Sequence, residues 1–153
     1  VHLGGIIRFQ ETELSLFMPI IEATAANLHA HGYFGVVGLD ILVDRAGAQH
    51  VIDANVRING STPLCLQRQD LISLGTDAAK YSTDYSIHAS LDTILARFKT
   101  ELDQRDFIIL SALEYPSPRG IRTDIYGIVS GKDVNHMLQV EHRLAQKGLR
   151  TGA

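Results

Sequence analysis

The stretch VIDANVRINGS, Val51 to Ser61, decides how the rest of the chain is read. Its first half alternates apolar and polar residues with the period of a strand that buries one face. The other face then carries an acid, an amide and a guanidinium in succession: Asp53, Asn55 and Arg57. Asp and Asn are depleted inside strands, so this row calls for a reason beyond solvation. Upstream, YFGVVGLDILVD is rich in branched side chains and RAGA is a turn signal, so the segment is one arm of a β-hairpin. A turn centred between Ala46 and Gly47 sets Asp40 directly opposite Asp53, and Gly38 opposite Asn55. Two like charges in that relation repel, which calls for a cation between them. Gly38, lacking a side chain, leaves a hole beside the carboxylates.

Two carboxylates and an amide oxygen make a hard, oxygen-only donor set of the kind Mg²⁺ or Mn²⁺ prefers. Asp40, Asp53 and Asn55 are therefore the expected metal ligands. Immediately downstream, Gly60, Ser61 and Thr62 lead into a helix beginning near Pro63, with Ser61 or Thr62 as its cap. Free N–H groups and the positive dipole end at such a terminus favour an anion. Metal, arginine and helix start together describe a phosphate site. The plainer alternative is a solvated edge strand in which Asp40 pairs with Arg57.

Around this hairpin the order of elements is α, β-hairpin, α, β, α, β, β, α. Apolar residues at Leu14, Phe17, Met18, Ile21, Ala25 and Leu28 mark one helical face, with Pro19 expected as the first helical residue and Gly32 just past the end. KYSTDYSIHA is a short strand, SLDTILARFKTELDQ an amphipathic helix, DFIILSALEY and RTDIYGIVSG two strands joined by PSPRG, and residues 132 to 147 a last helix. This order implies an α+β fold, an antiparallel sheet with packed helices, rather than a doubly wound parallel one. At 153 residues the chain reads as a single domain, with residues 1–75 carrying the hairpin and its flanking helices and 76–153 an α+β extension. It begins at Val1 and enters GGIIRF almost at once, as a C-terminal fragment of something longer would.

A net charge of −3, with 45% hydrophobic and 20% charged residues, is ordinary globular composition and offers no basic footprint for nucleic acid. The longest apolar runs are too short to span a membrane. The single cysteine, Cys65, excludes an internal disulfide and reads as a buried structural thiol; cytoplasm is the expected compartment. His29 with His31, and His136 with His142, have poor spacing for metal ligation on a helix, and Arg119 in PSPRG reads as part of a plain strand connection.

GVVGLDILVDRAGAQHVIDANVRINGS resembles the signature hairpin of the ATP-grasp superfamily, in which an acid on one strand is followed on the next by acid-x-Asn-x-Arg. The resemblance implies that Asp40, Asp53 and Asn55 hold Mg²⁺ against the phosphates of ATP, and that Arg57 contacts phosphate or an acyl-phosphate intermediate and is the catalytic residue. Gly60 and Ser61 would add substrate or phosphate contacts, and Arg8 would be a further one. The first acid of the pair is commonly glutamate in that family and is Asp53 here. The fold implied is the C-terminal lobe of an ATP-grasp enzyme, and the activity is ATP-dependent joining of a carboxylate to an amine; peptide ligases of the pheganomycin type are one home consistent with it. The partners implied are small carboxylate and amine substrates and upstream lobes that this chain lacks; an oligomer is compatible. A non-catalytic module that binds a nucleotide or a protein is the alternative.

Overall fold

The structure, a computed structural model, describes residues 4–9 and 14–151. The chain divides into two compact units, one made of Val1–Phe9 with Pro63–Ala153 and the other of Gln10–Thr62. The architecture is α+β with antiparallel pairing throughout.

The larger unit is built on a five-stranded sheet. Its strands are β1 (Gly4–Arg8), β4 (Ala78–Ile87), β5 (Phe107–Ser117), β6 (Gly120–Gly131) and β7 (Arg150–Thr151). Their order is β1-β4-β6-β5, and β7 pairs with β4 beyond β1, at Tyr85 and Ser86. Helices cover both faces: α2 (Thr62–Ser73) one, and α3 (Leu91–Arg97), α4 (Lys99–Asp103) and α5 (Val134–Gln146) the other. The sequence explains this through alternation. On β6, Ile125 and Val129 face the cluster with Ile94, Phe98, Met137, Val140 and Leu144, while Ile128 faces Leu64 and Leu71. A register shift between Ser82 and Tyr85 in β4 changes the parity of that strand, so Ala78, Tyr85 and Ile87 all join the same cluster.

Each helix of this unit has a local cause. Asp133 caps α5 by accepting from the His136 N–H at 2.7 Å, and Met137, Val140 and Leu144 form its buried stripe. The expected helix from Ser90 to Gln104 is bent into α3 and α4 at Phe98, whose fully buried ring meets Phe107 edge-on at 5.8 Å. The PSPRG connection closes as a tight turn between Ser117 and Gly120, where Gly120 takes a φ of +96°.

The smaller unit holds α1 (Leu14–Ala30) and the hairpin β2 (Gly38–Val43) and β3 (Gln49–Asn55). Helix α1 does not begin at Pro19; it runs from Leu14 through the proline, continuing with one backbone hydrogen bond fewer. Its end is as expected, with Gly32 at a φ of +84°. The Gln49 side chain donates to the Leu16 carbonyl at 2.8 Å and ties β3 to α1. All the buried apolar residues of the described chain belong to the larger unit, whereas Phe34 in the smaller one is 94% exposed. No helix among the described residues is long and apolar enough to cross a membrane.

Candidate functional site

The hairpin pairs Asp40 directly with Asp53 and Gly38 with Asn55, as the spacing implies. The turn is different. Asp44 closes it, its side chain accepting from the Ala46 and Ala48 N–H groups at 2.9 Å each, and Gly47 adopts a φ of +85°. The Ala48 N–H, the His50 ring 3.3 Å from Asp44 Oδ2 and the Ala46 N–H together hold the Asp44 carboxyl below the usual range. Near the turn the register is one residue off the expected one, Ile41 opposing Val51, and a shift between Asp40 and Ile41 restores it at the acids. Ile52 is the extra residue, left unpaired and 65% exposed where alternation alone would bury it.

Asp53, Asn55 and Arg57 form a continuous chain. The Arg57 guanidinium donates to the Asn55 side-chain carbonyl at 3.2 Å and to the Ile58 backbone carbonyl at 3.3 Å. The Asn55 amide N–H then donates to Asp53 Oδ2 at 2.9 Å. Asn55 thus relays the arginine's positive charge toward Asp53. Asp40, Asp53 and Arg57 are all exposed.

The magnesium expectation does not survive this geometry. Among the described residues there is no group of three or more His, Cys, Asp and Glu side chains that could hold a metal ion. Asp40 and Asp53 supply two such groups, and the third intended ligand turns its NH₂ to Asp53 and commits its oxygen to Arg57. A donor amide and a neighbouring guanidinium suit an anion rather than Mg²⁺ or Mn²⁺. Among the described residues Asp40, Asp53 and Asn55 thus do not form the expected magnesium or other metal site.

The space beside the carboxylates is also filled. A β-carbon on Gly38 would collide with the Asn59 side-chain nitrogen. Sequence reasoning missed Asn59, although Asn three residues before Thr is a legible capping signal. Its Oδ1 accepts from the backbone N–H groups of Ser61 and Thr62, both at 3.1 Å, and from both hydroxyls, while Thr62 Oγ1 accepts from the Asn59 N–H at 3.1 Å. This reciprocal pair is a capping box, so Asn59 is the cap in place of Ser61 or Thr62. Gly60 lies in the turn between them. Gly38→Ala is expected to break the box and lower stability by about 1–2 kcal/mol. Thermal melts check it: Gly38→Ala with Asn59→Ala should cost less than the sum of the single changes, and strict additivity would separate the two residues.

Arg8 is exposed on β1, in the other unit, its backbone paired with Ala78. Cys65 is exposed, not a buried thiol. His29 and His31 are exposed at the end of α1, and His31 Nδ1 lies 2.8 Å from the Asn27 carbonyl. His142 Nε2 lies within hydrogen-bond distance of the Gln146 side-chain amide, at 3.0 Å, and among the described residues takes no part in a metal site with His136. No protein-family model matches the chain.

Proposed function

We propose that the chain is the phosphate-side part of an ATP-dependent carboxylate–amine ligase, as its resemblance to ATP-grasp enzymes suggests. The observation that supports this best is the Arg57–Asn55–Asp53 chain with Asp40 opposite. It offers a guanidinium held at a fixed angle by a neutral amide, on an exposed strand end where an anionic oxygen can reach it. Arg57 would stabilise charge on the transferring phosphoryl group or on the acyl phosphate, an electrostatic contribution. In the reaction a carboxylate oxygen bonds to the γ-phosphorus as the bond to the β-bridging oxygen breaks and ADP departs. The amine then attacks the acyl carbon, phosphate leaves, and the amine proton goes to solvent. No protein nucleophile takes part. Further lobes outside this chain would supply the adenine site and cover apolar residues such as Phe34.

A second reading, a non-catalytic nucleotide- or protein-binding module, is favoured by one observation: Asn55 already spends both ends of its amide inside the hairpin. The natural full-length protein distinguishes them. With ATP, a panel of free amino acids and hydroxylamine, the ligase reading expects ADP release and hydroxamate formation. Arg57→Ala should lower kcat/KM by at least about tenfold, with the melting temperature unchanged. ATP binding without either product would favour the module and overturn the ligase.

A further inference from the structure

The larger unit carries a basic cavity that plays no part in the hairpin reading. It measures about 380 Å³ and its wall includes His88, Arg97, Arg119, Arg122 and Arg150, with no acid among the described residues that line it. They come from four separate stretches of sequence, around residues 86–88, 97, 119–122 and 148–150, and the fold gathers these stretches. Arg97 ends α3, Arg119 sits in the turn between β5 and β6, Arg122 follows on β6, and Arg150 lies on β7 beside the end of β4. A chain with a net charge of −3 has no general excess of cations to scatter there.

The four guanidinium groups are not equally committed. Arg122 Nε donates to Asp124 Oδ1 at 2.8 Å, and Tyr115 Oη donates to the other oxygen of that carboxylate at 2.7 Å, so Arg122 is neutralised and fixed. Among the described residues the Arg97 side chain donates only to a neutral group, the Lys147 carbonyl, at 3.1 Å. Among the described residues the Arg119 and Arg150 side chains have no hydrogen-bond or ion-pair partner. His88 Nδ1 lies 3.5 Å from Ser117 Oγ, the same hydroxyl that accepts from the Arg119 N–H at 3.4 Å, so the histidine and the arginine turn share an anchor.

We infer that this cavity is a binding site for a small molecule bearing a pyrophosphate group. Three guanidinium groups without a carboxylate partner repel one another, and an anion placed among them removes that repulsion. A single carboxylate satisfies one arginine fork; a pyrophosphate presents several terminal oxygens in different directions and can meet three forks at once. The volume suits a small ligand, and the concave form is unlike the extended basic stripe that a nucleic acid backbone needs.

Calorimetry of the chain with sodium pyrophosphate, inorganic phosphate and ATP at low ionic strength tests this. Pyrophosphate should bind about tenfold tighter than inorganic phosphate, and Arg119→Ala and Arg150→Ala should each weaken it about tenfold. Both residues are exposed, so their melting temperatures should equal that of the parent. Arg45→Ala, an exposed arginine in the hairpin turn, should change nothing. ATP binding that Arg119→Ala weakens equally would place a nucleotide's polyphosphate in the cavity, within the same class. No heat with pyrophosphate at millimolar concentration, or equal losses in Arg45→Ala and Arg119→Ala, overturns the site.

Discussion

Lys147→Met is expected to lower the free energy of unfolding by about 3 kcal/mol, read from the midpoint of urea denaturation. Glu101, on α4, is only 3% exposed and would be a poor choice for the interior without a partner. Lys147 at the end of α5 supplies it, with Nζ at 2.6 and 2.8 Å from the two carboxylate oxygens and 5.9 Å from the centre of the Phe98 ring. Removing the ammonium leaves a buried carboxylate unpaired, which costs far more than the intact pair contributes. Lys147 itself keeps some contact with water, which places the effect at the lower end of the range for buried pairs. Glu101→Gln combined with Lys147→Met should recover most of the loss.

The pH dependence supplies a sharper test of the same pair. Burial pushes the Glu101 carboxyl up, but hydrogen bonding from Lys147, a backbone hydrogen bond and the charges of Lys147 and Arg143 together outweigh it and hold the group below its ordinary value of 4.5. The folded value lies below the unfolded one, so this contribution is fully present above the unfolded pKa and is lost as pH falls through the folded one. In Lys147→Met the hydrogen bond and charge of Lys147 are gone while burial stays, so the carboxyl titrates higher than in the parent and Glu101's loss of stability in acid shrinks. The variant should then lose less of its own stability than the parent does as pH falls through the acid range. An unchanged slope would show that Lys147 does not control the ionisation of Glu101.

Gly131→Ala is expected to cost about 3 kcal/mol for a different reason. A β-carbon there would lie 2.5 Å from the Met137 nitrogen and 2.9 Å from its Cα. Both are backbone atoms in the first turn of α5, where the Met137 N–H already donates to the Asp133 carbonyl at 3.0 Å. No rotamer change can relieve such a contact, so the helix must lift from β6. That lift would loosen Met137, Val140 and Leu144 together, since all three lie in one cluster. Urea denaturation of Gly131→Ala checks the cost, and a midpoint equal to the parent's would show that the helix yields without loss.

Much of this architecture was legible in residue pattern because its causes are local. Alternation on β6 and the stripe of α5 follow from periods of two and of three to four residues, whereas Asp40 opposes Asp53 only because the Ile52 bulge offsets a turn register one residue from the expected one. What pattern could not show were offsets and committed side chains. Proline signals a helix start, yet α1 passes through Pro19, because a preference is weaker than the helix on either side of it. An oxygen-rich triplet suggests a cation, but whether an asparagine offers its oxygen or its NH₂ depends on neighbours, here Asp53 and Arg57. The arginine cavity was illegible for a topological reason: Arg97, the Arg119–Arg122 turn and Arg150 meet only after β6 and β7 have paired with β4.

The unpaired Ile52 has a further consequence for how the hairpin can vary. It divides the ladder into two blocks with independent counting, one governed by the Asp44 turn and the other by the acids and the asparagine. A change of length at the tip can then be absorbed by movement of the bulge along β3, leaving the distal block in phase. The tip is free to drift over generations of sequence change, while the spacing between Asp40 and Asp53 stays a property of the strand ends alone.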